Sequence, residues 1–462
     1  MSVDSTNPEY DKNVHRWDLV RNVVRSNVKQ YIFDVDPNDA HRNKRYKESA
    51  KFTNLTSRTR NSLVGQVFRK ESIIELPPSI EYLKTDATGQ DVDLEKVAQE
   101  ATGEVLMSGR YGLLVDYPPA NEGLSAAQVE AMNLKARIYR YNAESIINWQ
   151  TENVNGAQVV TMIVLKEEVN SIGDDGFRWK AHTQFRVLRL VDGVYIQSLY
   201  KDKEDEDPIM YQPRNSRGEA FNYIPFVFIG SEDNDTACDP SPLFDIAEMN
   251  IGHLRNSADY EESIFIAGQP TLFITTDISA EDWERLNPDG ILLGSRKGHN
   301  LGQSGQATML QPNENQLPDK AMQRKEEQIV MMGGRISGQG AANETAEAAR
   351  GRHSGEASTL QIIRNNVNDA IWKSCAYVLD YMGSEAEADQ IKININDDFF
   401  EKSIDAPKML AQLQLYNAGV VAKSDIRDAL RKYNEIDPSR TDEDIDAELE
   451  ADFNRITPFG GE

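Results

Sequence analysis

Three features of the sequence predict an α+β protein of more than one domain. Helical stripes open and close the chain, and β-branched and aromatic runs separated by turn dipeptides fill residues 136–230. After Ser241, two long helical stretches flank a short insert of strands and loops. At 462 residues, 39% of them hydrophobic, the chain is long enough for two or three domains and a substantial buried core.

Residues 10–31 place Trp17, Val20, Val23, Val24 and Val28 along one helical face. The following DVDPNDAHRNKRYK is rich in turn formers and then basic from His41 to Lys47. It reads as a solvated loop, with a contact to a partner left open. Residues 52–68 form a second helix with Leu55, Leu63, Val64 and Val67 on one side, broken by ELPPSIEYL. A third helix, Leu94–Ser108, leads through Gly109 into the strand GLLVDYPP. The runs ARIYRYN, AQVVTMIVL, HTQFRVLRLV, GVYIQSLY and YIPFVFIG then predict a mostly antiparallel sheet packed on those helices. Asn155-Gly156, Asp174 to Gly176 and Asp192-Gly193 supply its tight turns.

The stretch SPLFDIAEMNIGHLRNSADYEESIFIAGQP reads as one helix of about 25 residues, roughly 37 Å long. Short strands, a helical turn and an exposed Gly/Ser/Lys/Arg loop follow. A second helix over Asp319–Met332 ends at Gly333-Gly334. Beyond SGQGAANETAEAARGRHSGEAS comes a long helix with Leu360, Ile363, Val367, Ile371, Ser374 and Val378 at helical spacing. The strand IKININ and two short helices joined at NAGVVAKSD lead to an acidic tail whose composition predicts partial mobility.

Charge narrows the function classes. Lys and Arg total 50 against 75 Asp and Glu, a formal charge of −25, which argues against a protein that grips nucleic acid by neutralising phosphates. Acidity serves solubility, and it equally serves a surface past which DNA slides without sticking; composition does not choose. Cys238 and Cys375 form no CxxC pair and read as ordinary side chains in a reducing cytosol. No apolar run has the length of a membrane span.

Catalytic constellations find no support. GxxxxGK[ST], GxGxxG between strand and helix, HExxH and nucleophile-elbow spacing are all missing, and the six histidines are scattered. Asp202 to Asp207 and Glu232 to Asp239 miss the calcium-loop register. The expectation is therefore no enzyme, no cofactor and no metal.

The best-supported feature is the layout of residues 241–374. The first long helix has apolar ends and a polar waist, Asn250, His253, Arg255, Asn256, Ser257 and Asp259. Between Ser241 and Glu262 it carries five carboxylates, Asp245, Glu248, Asp259, Glu261 and Glu262, against one arginine. Such a waist fits a helix packed among copies of itself around a wet channel, or an interdomain helix on a monomer's surface. The small-residue loop with Ser337, Gly338, Gly340, Asn343, Arg350 and Arg352 fits a flexible linker, or a lining loop that leaves a passage open.

The chain resembles the portal proteins of tailed bacteriophages. The resemblance lies in the order of RTRNSLVGQVFRKE, LPPSIEYL, SGRYGLLVDYPP, YNAESIINW, YIPFVFIG, SPLFDIAEMNIGHLRNSADYEESIFIAGQPTLFI and ETAEAARGRHSGEASTLQII along nearly the whole length. It implies a portal fold: a wing over 1–240, a stem helix over 241–267, a clip over 268–318, a second stem helix over 319–332, a tunnel-loop region over 333–355, a return to the wing over 356–403, and a helical crown with the acidic tail over 404–462. It further implies a homo-oligomeric ring of about twelve subunits at one capsid vertex of the virion, assembled in the host cytoplasm. Through it double-stranded DNA passes without sequence-specific binding. The implied partners are the terminase large subunit, docking near Arg296, Lys297 and His299, then head-completion or adaptor proteins, with major capsid and scaffold proteins around the ring and no membrane. The five stem carboxylates would line the channel, and Arg255, Arg350 and Arg352 would make transient contacts. Two rival readings are another ring-forming head–tail connector, which a chain this long disfavours, and an acidic cytosolic hydrolase, which a monomer with a carboxylate-lined cleft would favour.

Overall fold

In the computed structural model the described residues are 2–117, 134–173, 175–203, 207–269, 271–286, 288, 301, 303–310, 315–337, 358–396, 406–432, 436 and 440–456. Helix and sheet are mixed, as expected of an α+β protein. Two compact units result, residues 1–395 and 396–462.

The first unit opens with three helices, α1 (Pro8–Val24), α2 (Ala40–Ser49) and α3 (Leu55–Val67). Asn7, Asp39 and Asn54 start them by accepting hydrogen bonds from backbone N–H groups of the first turn, which have no partner inside the helix. Trp17, Val20, Val23, Leu63 and Val67 are buried, as the spacing predicts. The basic stretch His41 to Lys47 is a correction: it lies within α2, not in a solvated loop.

Helix α4 (Leu94–Ser108) is capped by Asp93 and stopped by Gly109 at φ 71°. A Cβ on Gly109 would sit 2.4 Å from the Asp239 carbonyl oxygen, so both conformation and space require glycine there. The chain turns directly into β2 (Arg110–Asp116), every residue of which is buried. This strand is the centre of an antiparallel three-stranded sheet, between β3 (Arg137–Asn142) and β9 (Phe226–Gly230). Helix α8 (Thr359–Tyr381) packs on that sheet and on α4, and its predicted stripe Leu360, Ile363, Val367, Ile371, Ser374 and Val378 is wholly buried. Cys375 shares this interior, and burial raises its thiol to about 12.

A second antiparallel sheet is a five-stranded meander of β4 (Ile146–Val154), β5 (Ala157–Ile172), β6 (Trp179–Val191), β7 (Val194–Tyr200) and β8 (Ile209–Tyr211). The predicted single sheet is thus two. Ile147, Met162, Val164, Phe185 and Val187 form the inner face of the second, with Tyr10 of α1 against it. Arg110 bridges the sheets: its guanidinium lies 4.2 Å from the Trp149 ring and 4.5 Å from that of Phe228, and it donates to the Thr236 and Ala237 carbonyls. The predicted strand IKININ narrows to β12 (Lys392–Asn394), paired with β1 (Ile73–Glu75).

Two long helices complete the first unit, α5 (Phe244–Ala267) and α7 (Leu317–Ser337). Between them lies an antiparallel pair, β10 (Thr271–Thr275) and β11 (Gln306–Leu310), with the short helix α6 (Ala280–Leu286) in the connection.

The second unit contains α9 (Ala406–Asn417), α10 (Lys423–Lys432) and α11 (Asp442–Ile456). Gly419, at φ 73°, ends α9 in a left-handed cap, with the Val420 N–H donating to the Leu415 carbonyl. The acidic tail contains α11 over residues 442–456. Asp446 accepts from Lys423 and Arg427, and Asp442 from Arg431. The hydrogen bond from Arg427, then that from Lys423, holds the Asp446 carboxyl well below its usual range.

Candidate functional site: a paired-helix stem

Helices α5 and α7 run antiparallel and pack closely on each other. Helix α5 has no side-chain cap; it is tied to α4 by Ser241, whose hydroxyl donates to the Met107 carbonyl, and by the Leu243 N–H, which donates to that of Leu106. Its inward face alternates Ile246, Ala247, Ile251, Leu254 and Ala258 with the buried polar side chains of Asn250, His253 and Ser257.

Most of the polar waist is satisfied within the chain; the buried His253 Nδ1 has no hydrogen-bond partner among the described residues. Asn250 Oδ1 accepts from the Thr56 N–H and hydroxyl, both at 3.1 Å, while its Nδ2 donates to the Thr53 carbonyl at 2.9 Å. Ser257 Oγ accepts from the Lys51 N–H at 2.9 Å. Arg255 donates to the Tyr31 carbonyl and lies 4.0 Å from the Phe33 ring. The bonds to Thr56 are buried, and together with those to the less buried Thr53, Lys51 and Tyr31 they fix the segments around α2 and α3 on α5. The waist therefore needs neither a wet channel nor neighbouring copies to explain it.

Toward the hairpin end, α2 covers α5. The Tyr46 hydroxyl donates to Asp259 at 2.6 Å, and Arg42 Nε donates to Glu262 at 3.3 Å. Arg45 sits over the Phe265 ring at 4.0 Å. Burial, then the bond to Asp259, pushes the Tyr46 phenol well above its ordinary range. Beside these contacts lies an open hollow of about 550 Å³, lined by Arg42, Tyr46, Asp259, Glu262, Ile266 and Leu317 among others.

The contact between α5 and α7 is polar at its middle. His253 Nε2 lies 3.0 Å from Glu326 Oε1, and Lys325 donates to Asn256. Gly252 faces Lys325, where an added Cβ would stand 3.0 Å from Cε. At Gly333 a Cβ would stand 2.9 Å from Thr59 Cγ2, so a missing side chain lets α7 approach α3.

The five predicted channel acids thus divide. Asp245 and Glu248 are exposed, with no side-chain partner among the described residues. Asp259 and Glu262 are held by α2, the Glu262 side chain being 14% exposed. Glu261 projects from the opposite side of the helix to the other four, which follow from the 3.6-residue turn. Ser337 is the last residue of α7, buried, with its hydroxyl donating to the Gly334 carbonyl. The second stem helix is accordingly longer at both ends than the expected 319–332. Gly338, Gly340, Asn343, Arg350 and Arg352, and the predicted docking residues Arg296, Lys297 and His299, lie outside the described residues.

A family model described as a domain of unknown function, DUF4055, matches residues 242–382, the span from the start of α5 through α8. No curated protein is detectably similar to the chain. Among solved structures, a chain from the neck of an empty GTA particle computed with C6 symmetry aligns at TM-score 0.42 and 15% identity, covering 82% of this chain and 90% of that one. One from the virion of a native gene transfer agent (GTA) particle aligns at TM-score 0.41 and 15% identity, covering 81% and 89%. Likeness at this level does not establish a shared fold.

Among the described residues no helix is long and apolar enough to cross a membrane, and no group of three or more His, Cys, Asp or Glu is placed to hold a metal ion. The residues missed from the sequence are the stem's in-chain partners, Thr53, Thr56, Arg42, Tyr46 and Glu326. One signal for α2 was present: Asp39 followed three residues later by Arg42, whose N–H it caps.

Proposed function

We propose that this chain is the portal protein of a tailed bacteriophage, a closed ring at one capsid vertex through which DNA enters during packaging and leaves during ejection. The observation that carries the reading is the paired-helix stem. Helices of 24 and 21 residues flank an inserted antiparallel strand pair; among the described residues the outer side of α7 is exposed along its length, and α5 exposes Asp245 and Glu248 near its start. Long α8 then returns the chain to the sheet-containing body.

The ring holds about twelve copies. The wing spans residues 1–240 with 356–403, and the clip spans 268–318. In this reading residues 333–355 are the tunnel-loop region and residues 404–462 the crown with its tail. The terminase large subunit docks on the clip around Arg296, Lys297 and His299, and head-completion or adaptor proteins replace it once packaging ends. Major capsid and scaffold proteins surround the wing during assembly in the host cytoplasm. No bond is made or broken by this chain; the packaging motor supplies the work. A formal charge of −25 per copy repels the phosphate backbone, so the duplex moves through without adhering.

The test is electron microscopy of the purified full chain. A closed annulus with a bore wide enough for a double helix is expected. A monomer with a carboxylate-lined cleft would favour a hydrolase, and a ring too narrow for duplex DNA would end the portal reading.

A further inference from the structure

The outer side of α7 carries a stripe that the single chain does not use. Lys320, Arg324, Glu327, Met331 and Arg335 are exposed and recur every three or four residues, opposite the side that packs on α5 and α3. Three are cations, and no carboxylate among the described residues pairs with any of them. Met331 is 50% exposed and the adjacent Val330 72%, giving the stripe an apolar element as well. The uncovered side of α5 has the opposite sign. Asp245 and Glu248 are exposed there with no side-chain partner among the described residues, whereas Asp259 lines the hollow beside α2 and the start of α7 and is bonded by the Tyr46 hydroxyl.

Height relates the two stripes. His253 of α5 meets Glu326 of α7, and the helices are antiparallel, so equal numbers of residues in opposite directions keep level. Moving from that contact toward the body brings Asp245 level with Gly334, beside Arg335. Moving toward the hairpin brings Asp259 level with Lys320. Arg324 comes level with Arg255, but that guanidinium is turned to its own Tyr31 carbonyl and Phe33 ring and leaves the seam free of a clash.

We infer that the occupant of this face is a second copy of the chain, with α7 of one subunit against α5 of the next. The inference rests on the ring reading above, because only copies related by an axis along the stem stand at equal height. The contact joins two different faces of the same chain, which is the heterologous geometry that closes into rings. Arg335 then pairs with Asp245 and Glu248 of the neighbour. This moves four of the predicted channel acids, Glu262 included, from the bore to the seam or to contacts within the subunit. Their charge guides neighbours into register and does not line the passage.

The test measures the mass of the full chain by mass photometry over a dilution series at low salt. Wild-type rings are expected, with Arg335→Glu and Asp245→Arg each raising the concentration for half-assembly about tenfold or more, since like charges then face each other. Combining the two exchanges restores assembly toward wild type. Both residues are exposed, so thermal melting of each subunit should be unchanged. Arg335→Glu rings that form like wild type, or a combined variant no better than its parents, overturn the seam and leave the ring reading intact. A wild-type chain that stays monomeric at every concentration overturns both.

Discussion

Helix α8, with 23 residues, and helix α5, with 24, are nearly equal in length and are buried by opposite chemistry. The inner stripe of α8 is mostly apolar; the Ser374 hydroxyl is satisfied by the Ala370 carbonyl one turn back, and the buried Arg364 donates to Asn394 of β12. Most of that stripe asks only volume of its neighbours, with Arg364 the exception. The inner stripe of α5 includes Asn250, His253 and Ser257, each answered by a group on another segment. Apolar burial is non-directional, whereas a buried amide is tolerated only when its partners stand at the correct place and angle. The first helix supplies cohesion, and the second a defined position for the stem.

That contrast can be broken or sharpened by substitution. Ile371→Ala in α8 should cost about 2–5 kcal/mol in denaturant unfolding, through lost burial and the cavity left behind. Asn250→Ala should cost roughly 1–3 kcal/mol, because the Thr53 carbonyl and Thr56 N–H are left without their partner. A neutral result there would mean that the polar waist does not fix the stem. Gly333→Ala should cost roughly 1 kcal/mol or more by overpacking, and much less in a Thr59→Ser background, which lacks the methyl group it meets. Arg42→Ala should cost about 1 kcal/mol or less, with an effect that fades in salt, since Arg42 is 42% exposed.

The smallest effect belongs to the second unit and is set by pH. The Asp446 carboxyl lies below its usual range because Arg427 and Lys423 bond to its ionised form. Its contribution is therefore complete above the ordinary carboxylate range and is lost as pH falls through the depressed value. Hydrogen exchange at residues 442–450 should be slow at neutral pH and rise in strong acid. Exchange that is fast at neutral pH would restore the expectation of a mobile tail.

Much of the fold could be read before any coordinates. Helix α4 matches its expected bounds because Asp93 and Gly109 mark both ends with local chemistry. The α8 stripe follows from periodicity alone, and the antiparallel strands from Asn155-Gly156 and Asp192-Gly193, all four residues at positive φ. The site was less legible. Helix α2 was hidden because its strongly polar sequence has little apolar periodicity; Asn43 and Tyr46 are its buried residues. The tail helix was hidden because its stability comes from ion pairs to α10, nineteen residues away in the case of Arg427 and Asp446. These partners lie beyond one window of sequence, whereas the caps, Asp39 with Arg42 and Thr441 with Asp444, lie within it.

By itself the sequence determined where the helices and strands lie, the order of stem, hairpin and return helix, and an excess of negative charge, because propensity, periodicity and composition are local or additive properties. Only the tertiary structure decided what the polar residues of α5 are for. Whether a buried amide or carboxylate is a liability, a latch or a free charge depends on which distant group stands within hydrogen-bond reach. That assigned Asn250 to Thr53 and Thr56, gave Asp259 and Glu262 to α2, and left Asp245 and Glu248 without side-chain partners among the described residues.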